Sequence, residues 1–183
     1  MPEAPGRGDG GPADGETAVL AAVQSRLATP TVVAGARVLS HFGEHAAGWV
    51  ALSGVGAVVF PRRRRDWLLV GVGAVAAHAA AIVIKLAVRR TRPDHPDVAV
   101  NVGTPSALSF PSAHATSSTA AAMLLCRATR SPLPLLAVPL MALSRLVLGV
   151  HYPTDVIAGA AVGAAVARVT GRLAVPSKEA DHE

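Results

Sequence analysis

The chain has 183 residues, 51% of them hydrophobic and 3% aromatic, with a mean hydropathy of +0.41 and a formal net charge of +5. That length makes one domain, and positive hydropathy gathered into long apolar blocks argues against a soluble globular protein. The cations sit at the ends of those blocks, whereas a nucleic-acid reader carries a basic stripe, so no nucleic-acid partner is expected.

Residues 1–16 are rich in Gly, Pro and acids and lack the basic-then-apolar pattern of a signal peptide, so they read as a disordered tail. Residues 17–45 open with a helical pattern (Val19, Leu20, Val23, Leu27) broken by Pro30. The following stretch contains Arg37 and is only moderately apolar; a short first span and an interfacial helix both fit residues 28–45. Ala46–Phe60 is apolar and Gly-rich, and Pro61 with the run Arg62–Arg65 stops it. Trp67–Val88 is the clearest span, about 33 Å at about 1.5 Å per residue. Arg89–Phe110 is a polar, Pro-rich loop, and a helix rich in small residues follows from Pro111 to Ala128, suited to the middle of a bundle. Leu133–Val150 is the next span, with a kink expected at Pro139. Asp155–Leu173 is the last, with Gly159 and Gly163 four apart. The fold expected is an all-α, polytopic membrane bundle of about six helices: five clear spans plus the ambiguous first one. It makes a domain over 17–175, followed by a polar tail over 176–183. The lone Cys126 excludes an intrachain disulfide and reads as a small apolar filler.

Three polar stretches fall on one face of such a bundle: after the Trp67 span, before the Pro111 helix, and between the last two spans. The opposite face carries Arg62–Arg65, Arg127, Arg130, Arg168, Arg172 and Lys178. The positive-inside rule puts those nine in the cytoplasm and the polar stretches on the extracytoplasmic face of the plasma membrane.

Charged groups at membrane depth are costly unless they serve a purpose, and these three stretches together suit a phosphate. Lys85 and Arg92 are seven apart, two helical turns if the helix runs to Pro93, and Arg145 approaches from another helix. Arg offers planar paired donors to phosphate oxygens and Lys a point charge. Arg89 and Arg90 read as cations snorkelling at the membrane boundary. Ser112 stands where a loop becomes a helix, so free N–H groups and its hydroxyl can bind an anion, unless it is simply a cap. His114, inside that helix, is placed to give a proton to a departing oxygen. His151 can attack phosphorus if a carboxylate fixes its other nitrogen; Asp155 can do that, or can be the N-cap of the last helix. One histidine attacking and one protonating the leaving group suggests double displacement and a bell-shaped pH profile. A metal site is the rival idea, but these residues lack a compact ligand motif and the cations would repel a metal ion. Among weaker candidates, His41 and His45 could contact a headgroup or be solvated at the interface. His78, seven before Lys85, could join that face or be a buried neutral histidine. Asp94, His95 and Asp97 read as solvated loop residues or as a gate.

Lys85-x6-Arg92-Pro93, Pro111-Ser112-x-His114 and Ser144-Arg145-x5-His151-x3-Asp155 resemble the three-part signature of the type-2 phosphatidic acid phosphatase superfamily, over about residues 46–175. That resemblance implies His151 as a nucleophile forming a phosphohistidine, Asp155 as its partner and His114 as general acid. It further implies Lys85, Arg92, Ser112, the Ala113 N–H and Arg145 as phosphate ligands, with no metal and no cofactor. The family usually has Gly where Ala113 stands; a methyl there narrows the approach to the N–H but is compatible with a helix start. Ser40–His45, the Asn101–Ser106 loop and the Ala-Val-Arg composition look like actinobacterial members. More narrowly, they resemble those that remove the 5-phosphate from decaprenylphosphoryl-5-phosphoribose, leaving decaprenylphosphoryl-ribose for cell-wall arabinan. The substrate expected is thus a polyprenyl-linked phosphate lipid in the bilayer. Rival readings are a polyprenyl-diphosphate phosphatase, a phosphatidylglycerolphosphate or phosphatidate phosphatase, and a non-catalytic lipid-phosphate binder or transporter.

Overall fold

A computed structural model describes residues 15–172. The tail expected over 176–183, and all of the N-terminal tail except Gly15 and Glu16, lie outside the described residues. The seven α-helices among them are α1 (Gly15–Leu27), α2 (Pro30–Gly43), α3 (Ala47–Val59), α4 (Arg64–Val88), α5 (Ala113–Thr129), α6 (Ala137–Val147) and α7 (Pro153–Arg172). Their ends follow local chemistry. Thr29 caps α2 by accepting from the Val32 N–H, with Pro30 in the first turn where no N–H is needed. Pro61 stops α3, Ser112 caps α5, and Pro153 opens α7. Pro139 lies in the first turn of α6, just after the 3-10 turn Leu133–Leu136 gives way to the α-helix at Ala137.

The helices α2–α7 form the bundle, and α1 lies across one end of it. The ambiguous residues 30–43 are helical and stand in series with α3. Near the start of α2, Val33 and Ala36 pack on Val147, Leu148 and Val150. At its other end, Gly43 abuts His114 and Met141. A turn at Glu44–Ala46, with His45 and Ala46 at φ 50° and 60°, then passes the chain to α3. Trp49 donates to the Ser118 hydroxyl at 3.1 Å, and Gly56 lies against the Trp67 ring. Together α2 and α3 therefore make one broken pass through the bundle; α4, α5, α6 and α7 each make another.

α5 runs through the centre, almost wholly buried from Ala115 to Leu125. Its small residues let α7 approach closely, as the Gly159/Gly163 spacing suggested. A Cβ at Gly163 would lie 2.3 Å from the Thr116 carbonyl, and one at Gly159 2.7 Å from that of Ser112. This contact brings the start of α7 under the start of α5, where the Ser112 N–H donates to the Asp155 carbonyl at 2.9 Å. The exterior is apolar: Val72, Val75 and Val83 on α4, Val55 and Val58 on α3, and Ile157 and Val169 on α7 are exposed. Among the described residues, Pro61–Val88 is long and apolar enough to cross a bilayer by itself.

Candidate active site

Lys85 lies in the last turn of α4. The helix ends at Val88 because Arg89 turns left-handed at φ 54°, and the chain leaves to pair Thr91 with Leu108. Lys85 and Arg92 therefore do not share one helix face, contrary to the expectation from their spacing; Arg92 comes back to the site on the loop. Lys85 Nζ donates to the Leu108 and Ser109 carbonyls at 3.0 and 2.9 Å, leaving one of its three protons for another acceptor. Arg92 donates from Nε to the Ser106 carbonyl at 2.8 Å and from Nη1 to that of Val150 at 2.6 Å. Burial lowers the Arg92 pKa, with Asp155 opposing, but a guanidinium stays charged at any working pH.

Arg145, 2% exposed, is the largest fully buried side chain among the described residues. Its Nη1 donates to the Ser40 hydroxyl at 3.1 Å and its Nη2 to the Ser144 hydroxyl at 2.8 Å; Ser144 in turn donates to the Ala36 carbonyl at 3.1 Å. The Nε of the same guanidinium is buried without a partner. A buried cationic N–H without an acceptor is costly, and an anion would satisfy it. Ser40 also serves His114, whose Nε2 lies 2.9 Å from the Ser40 carbonyl. A carbonyl only accepts, so Nε2 carries the proton. Gly43 leaves room for that ring: a Cβ there would lie 2.7 Å from His114 Cδ2.

The turn between α6 and α7 holds His151. Gly149, at φ 69°, makes this turn possible and packs so tightly on the loop that a Cβ would lie 2.2 Å from the Ala99 carbonyl. His151 Nε2 is 3.3 Å from Arg92 Nη1, and Nδ1 is 3.5 Å from Asp155 Oδ2, a long contact that makes no hydrogen bond in this geometry. Arg92 can only donate, so Nε2 presents its lone pair and Nδ1 carries the proton toward Asp155. Burial is the main force pushing the His151 pKa down, to about 4; Arg92 and Lys85 add to it and Asp155 opposes. The imidazole is neutral at physiological pH. Asp155, fully buried, also accepts from the Tyr152 N–H at 2.8 Å through Oδ2, and from Arg90 at 3.1 Å through Oδ1.

These groups surround a cavity of about 510 Å³. Lys85, Arg92, Ala113, His114, Arg145 and His151 line it, and so do His41, His45 and His78. Ser112 and Asp155 stand one layer behind. Ser112 is fully buried, with its hydroxyl accepting from the Ala115 N–H at 3.4 Å, as a cap does. The Ala113 N–H, at the first residue of α5, has no carbonyl of its own helix to meet. The His45 and His78 ring centroids are 5.7 Å apart, His78 Nδ1 is buried without a partner, and His41 lies 3.7 Å from Glu44. Asp94, His95 and Asp97 are absent from the lining. The residues that sequence reasoning missed are Ser40, Ser144 and Arg90. Ser144 stands inside the three-part signature and Ser40 inside the Ser40–His45 stretch, but neither stretch says what the hydroxyl meets, and Arg90 reads from the sequence only as a boundary cation.

The unpaired Arg145 Nε thus belongs to a side chain that shares one cavity with Lys85, Arg92, Ala113 and two histidines. The family model for the PAP2 superfamily matches residues 66–177 and so spans α4 to α7. The chain belongs to the PAP2 superfamily. This PAP2 protein is a phosphatase of membranes. It is 70% identical over 146 residues to the decaprenylphosphoryl-5-phosphoribose phosphatase of Mycolicibacterium smegmatis, covering 79% of this chain and 81% of that one. It is 62% identical over 156 residues to the protein of the same description from Mycobacterium tuberculosis, covering 85% and 88%. Among solved structures, a transmembrane PAP2-type phosphatidylglycerolphosphate phosphatase from Bacillus subtilis shares its fold, with a TM-score of 0.69 at 20% identity and coverage of 88% and 87%. LpxE of Aquifex aeolicus does so with a TM-score of 0.64 at 19% identity, covering 85% and 93%. The all-helical membrane bundle expected from the sequence is thus the PAP2 fold.

Proposed function

We propose that this PAP2 phosphatase removes the 5-phosphate of decaprenylphosphoryl-5-phosphoribose, giving decaprenylphosphoryl-ribose for cell-wall arabinan and inorganic phosphate. The lipid class rests on the 70% identical mycobacterial relative of that description. The phosphate site rests on the buried, unpaired Arg145 Nε at the wall of a cation-lined cavity.

In this reading the 5-phosphate sits among Lys85, Arg92, Arg145 and the Ala113 N–H, with Ser112 fixing the helix start. Arg92 exchanges its hold on His151 for a phosphate oxygen. His151 Nε2 forms a bond to phosphorus as the bond to the ribose oxygen breaks; His114, protonated on Nδ1 as well once the phosphate dianion is bound, gives that oxygen the Nδ1 proton while Nε2–H stays on the Ser40 carbonyl. Asp155 steadies the positive imidazole ring. Water, deprotonated by His114, then attacks the phosphohistidine, releasing phosphate and restoring both histidines. His41, His45 and His78 contact the ribose headgroup, and the decaprenyl chain leaves past the apolar wall of Ile82 and Leu86 into the bilayer. The protein crosses the plasma membrane several times with the cavity on the extracytoplasmic face. That orientation is supported by the position of Arg62–Arg65, Arg127, Arg130, Arg168 and Arg172 at the other end.

The test is phosphate release by detergent-purified protein in EDTA, comparing decaprenylphosphoryl-5-phosphoribose with a polyprenyl diphosphate and phosphatidylglycerolphosphate. Preferential, EDTA-resistant release from the phosphoribose lipid is expected. Preference for either other lipid would keep the chemistry and overturn the substrate; binding without turnover would make the protein a lipid-phosphate binder.

The same roles set the pH dependence. His151 attacks as the neutral ring and, with its pKa pulled down to about 4, is neutral above that. The His151 ring therefore loses its attacking lone pair only below about pH 4, and the rate falls about tenfold per unit below that through this group. A titration of the His151 ring in the free protein near pH 6.5, the ordinary histidine value, would mean that His151 is not held in this environment.

A further inference from the structure

We propose that Arg90 and Glu16 are positioning residues for the His151–Asp155 pair, with α1 docked on the site so that Glu16 shares Arg90 with Asp155. The inference rests on the reading of Asp155 as the partner of His151.

Asp155 Oδ2 accepts from the Tyr152 N–H and faces His151 Nδ1 at 3.5 Å; its other oxygen, Oδ1, is held by Arg90 Nη1 at 3.1 Å. Arg90 is itself fixed on three sides. Its Nη1 donates to the Thr154 hydroxyl at 2.7 Å, its Nη2 donates to Glu16 Oε2 at 2.5 Å, and its guanidinium lies over the Tyr152 ring with 4.0 Å to the centroid. Glu16 Oε1 accepts from the Thr154 N–H at 3.1 Å and from its hydroxyl at 2.6 Å. A carboxylate from the first turn of α1 thus satisfies an orphan N–H at the start of the helix that carries Asp155. Arg90 is neither fully exposed nor free to snorkel: its side chain is 29% exposed and paired with two carboxylates.

The arrangement divides one cation between two anions. Asp155 must keep negative charge facing His151, because the ring becomes positive when it bonds to phosphorus. If Arg90 faced Asp155 alone, it would neutralise that carboxylate and draw it away from His151. Glu16 takes up part of the Arg90 charge and holds the guanidinium toward α1, so that Oδ1 is oriented but Asp155 remains a net anion. Without Arg90, Oδ1 would lie buried with no donor, and the carboxylate would be free to turn from the imidazole. α1 is anchored for this task at its far end as well, where Gln24 bonds both the N–H and the carbonyl of Ala99.

The experiment measures kcat, KM and thermal stability in detergent for Glu16→Gln, Arg90→Ala, the double variant and Asp155→Asn. Glu16→Gln keeps the shape and removes the charge. It is expected to lower kcat about threefold to tenfold, and Arg90→Ala about tenfold or more, each with KM within about twofold of the parent. In the double variant the Glu16 change is expected to have no further effect, because its action passes through Arg90. A Glu16 that only caps α7 would lower thermal stability and act equally with or without Arg90; that result overturns the proposal. So does parental kcat in both single variants while Asp155→Asn is impaired. If Asp155→Asn turns over like the parent, the underlying reading of Asp155 fails, and the proposal with it.

Discussion

Replacing His151 by alanine is expected to lower phosphate release from the preferred lipid by at least about 10³-fold, with the protein still folded and still binding phosphate. The size follows from what remains. The cations and the Ala113 N–H still hold the substrate and stabilise charge, but no lone pair meets phosphorus. Water would have to take the place of Nε2 in a pocket whose turn is packed against the Ala99 carbonyl through Gly149. His151→Asn keeps a polar group of similar reach and is expected to be as inactive, which separates loss of the nucleophile from loss of packing. Steady-state release with thermal melting of each variant makes the check; a loss of less than about tenfold in a folded protein would assign the attack elsewhere.

Arg145→Lys is expected to lower kcat/KM by about 10²–10³-fold, the next largest effect. Lysine keeps the charge but loses the planar fork and the Nε donor, the group that is buried without a partner. It can satisfy one of the Ser40 and Ser144 hydroxyls that the guanidinium now holds together, and the other loosens. Because Ser40 also carries His114 through its carbonyl, the substitution is felt at the proton donor as well as at the phosphate. Inhibition by inorganic phosphate should weaken in parallel. Unchanged phosphate inhibition would show that Arg145 only braces α2 and does not touch the anion.

Much of the site could be read in the sequence because its parts are short and local. Ser112-Ala113-His114 is a helix start, and Ser144 to Asp155 is a helix end, a turn and a helix start, so spacing alone predicts which groups emerge together. The resemblance to a family added their roles. Lys85 and Arg92 show where spacing fails. Two helical turns was a fair inference, but Thr91 pairs with Leu108 and Ser109 donates to the Arg90 carbonyl at 2.7 Å, which pulls the chain out of the helix at Arg89. Both partners sit in a polar loop that shows no strand pattern. Residues 30–43 were ambiguous because the polar side of α2 faces protein: Arg37 donates to the Asn101 carbonyl and Ser40 meets Arg145. Hydropathy cannot tell such a face from one lying at an interface. Glu16 lay in a stretch read as a tail, and nothing local ties it to a residue 74 positions away.

The most direct test of the central claim is the stereochemical course at phosphorus. The lipid is made with a 5-thiophosphate rendered chiral by oxygen isotopes and is hydrolysed in isotopically labelled water, and the configuration of the released thiophosphate is determined. Attack by His151 followed by attack of water is two in-line displacements, and the account predicts retention. Inversion would mean that water attacks the lipid phosphate directly, and His151 would not be the nucleophile.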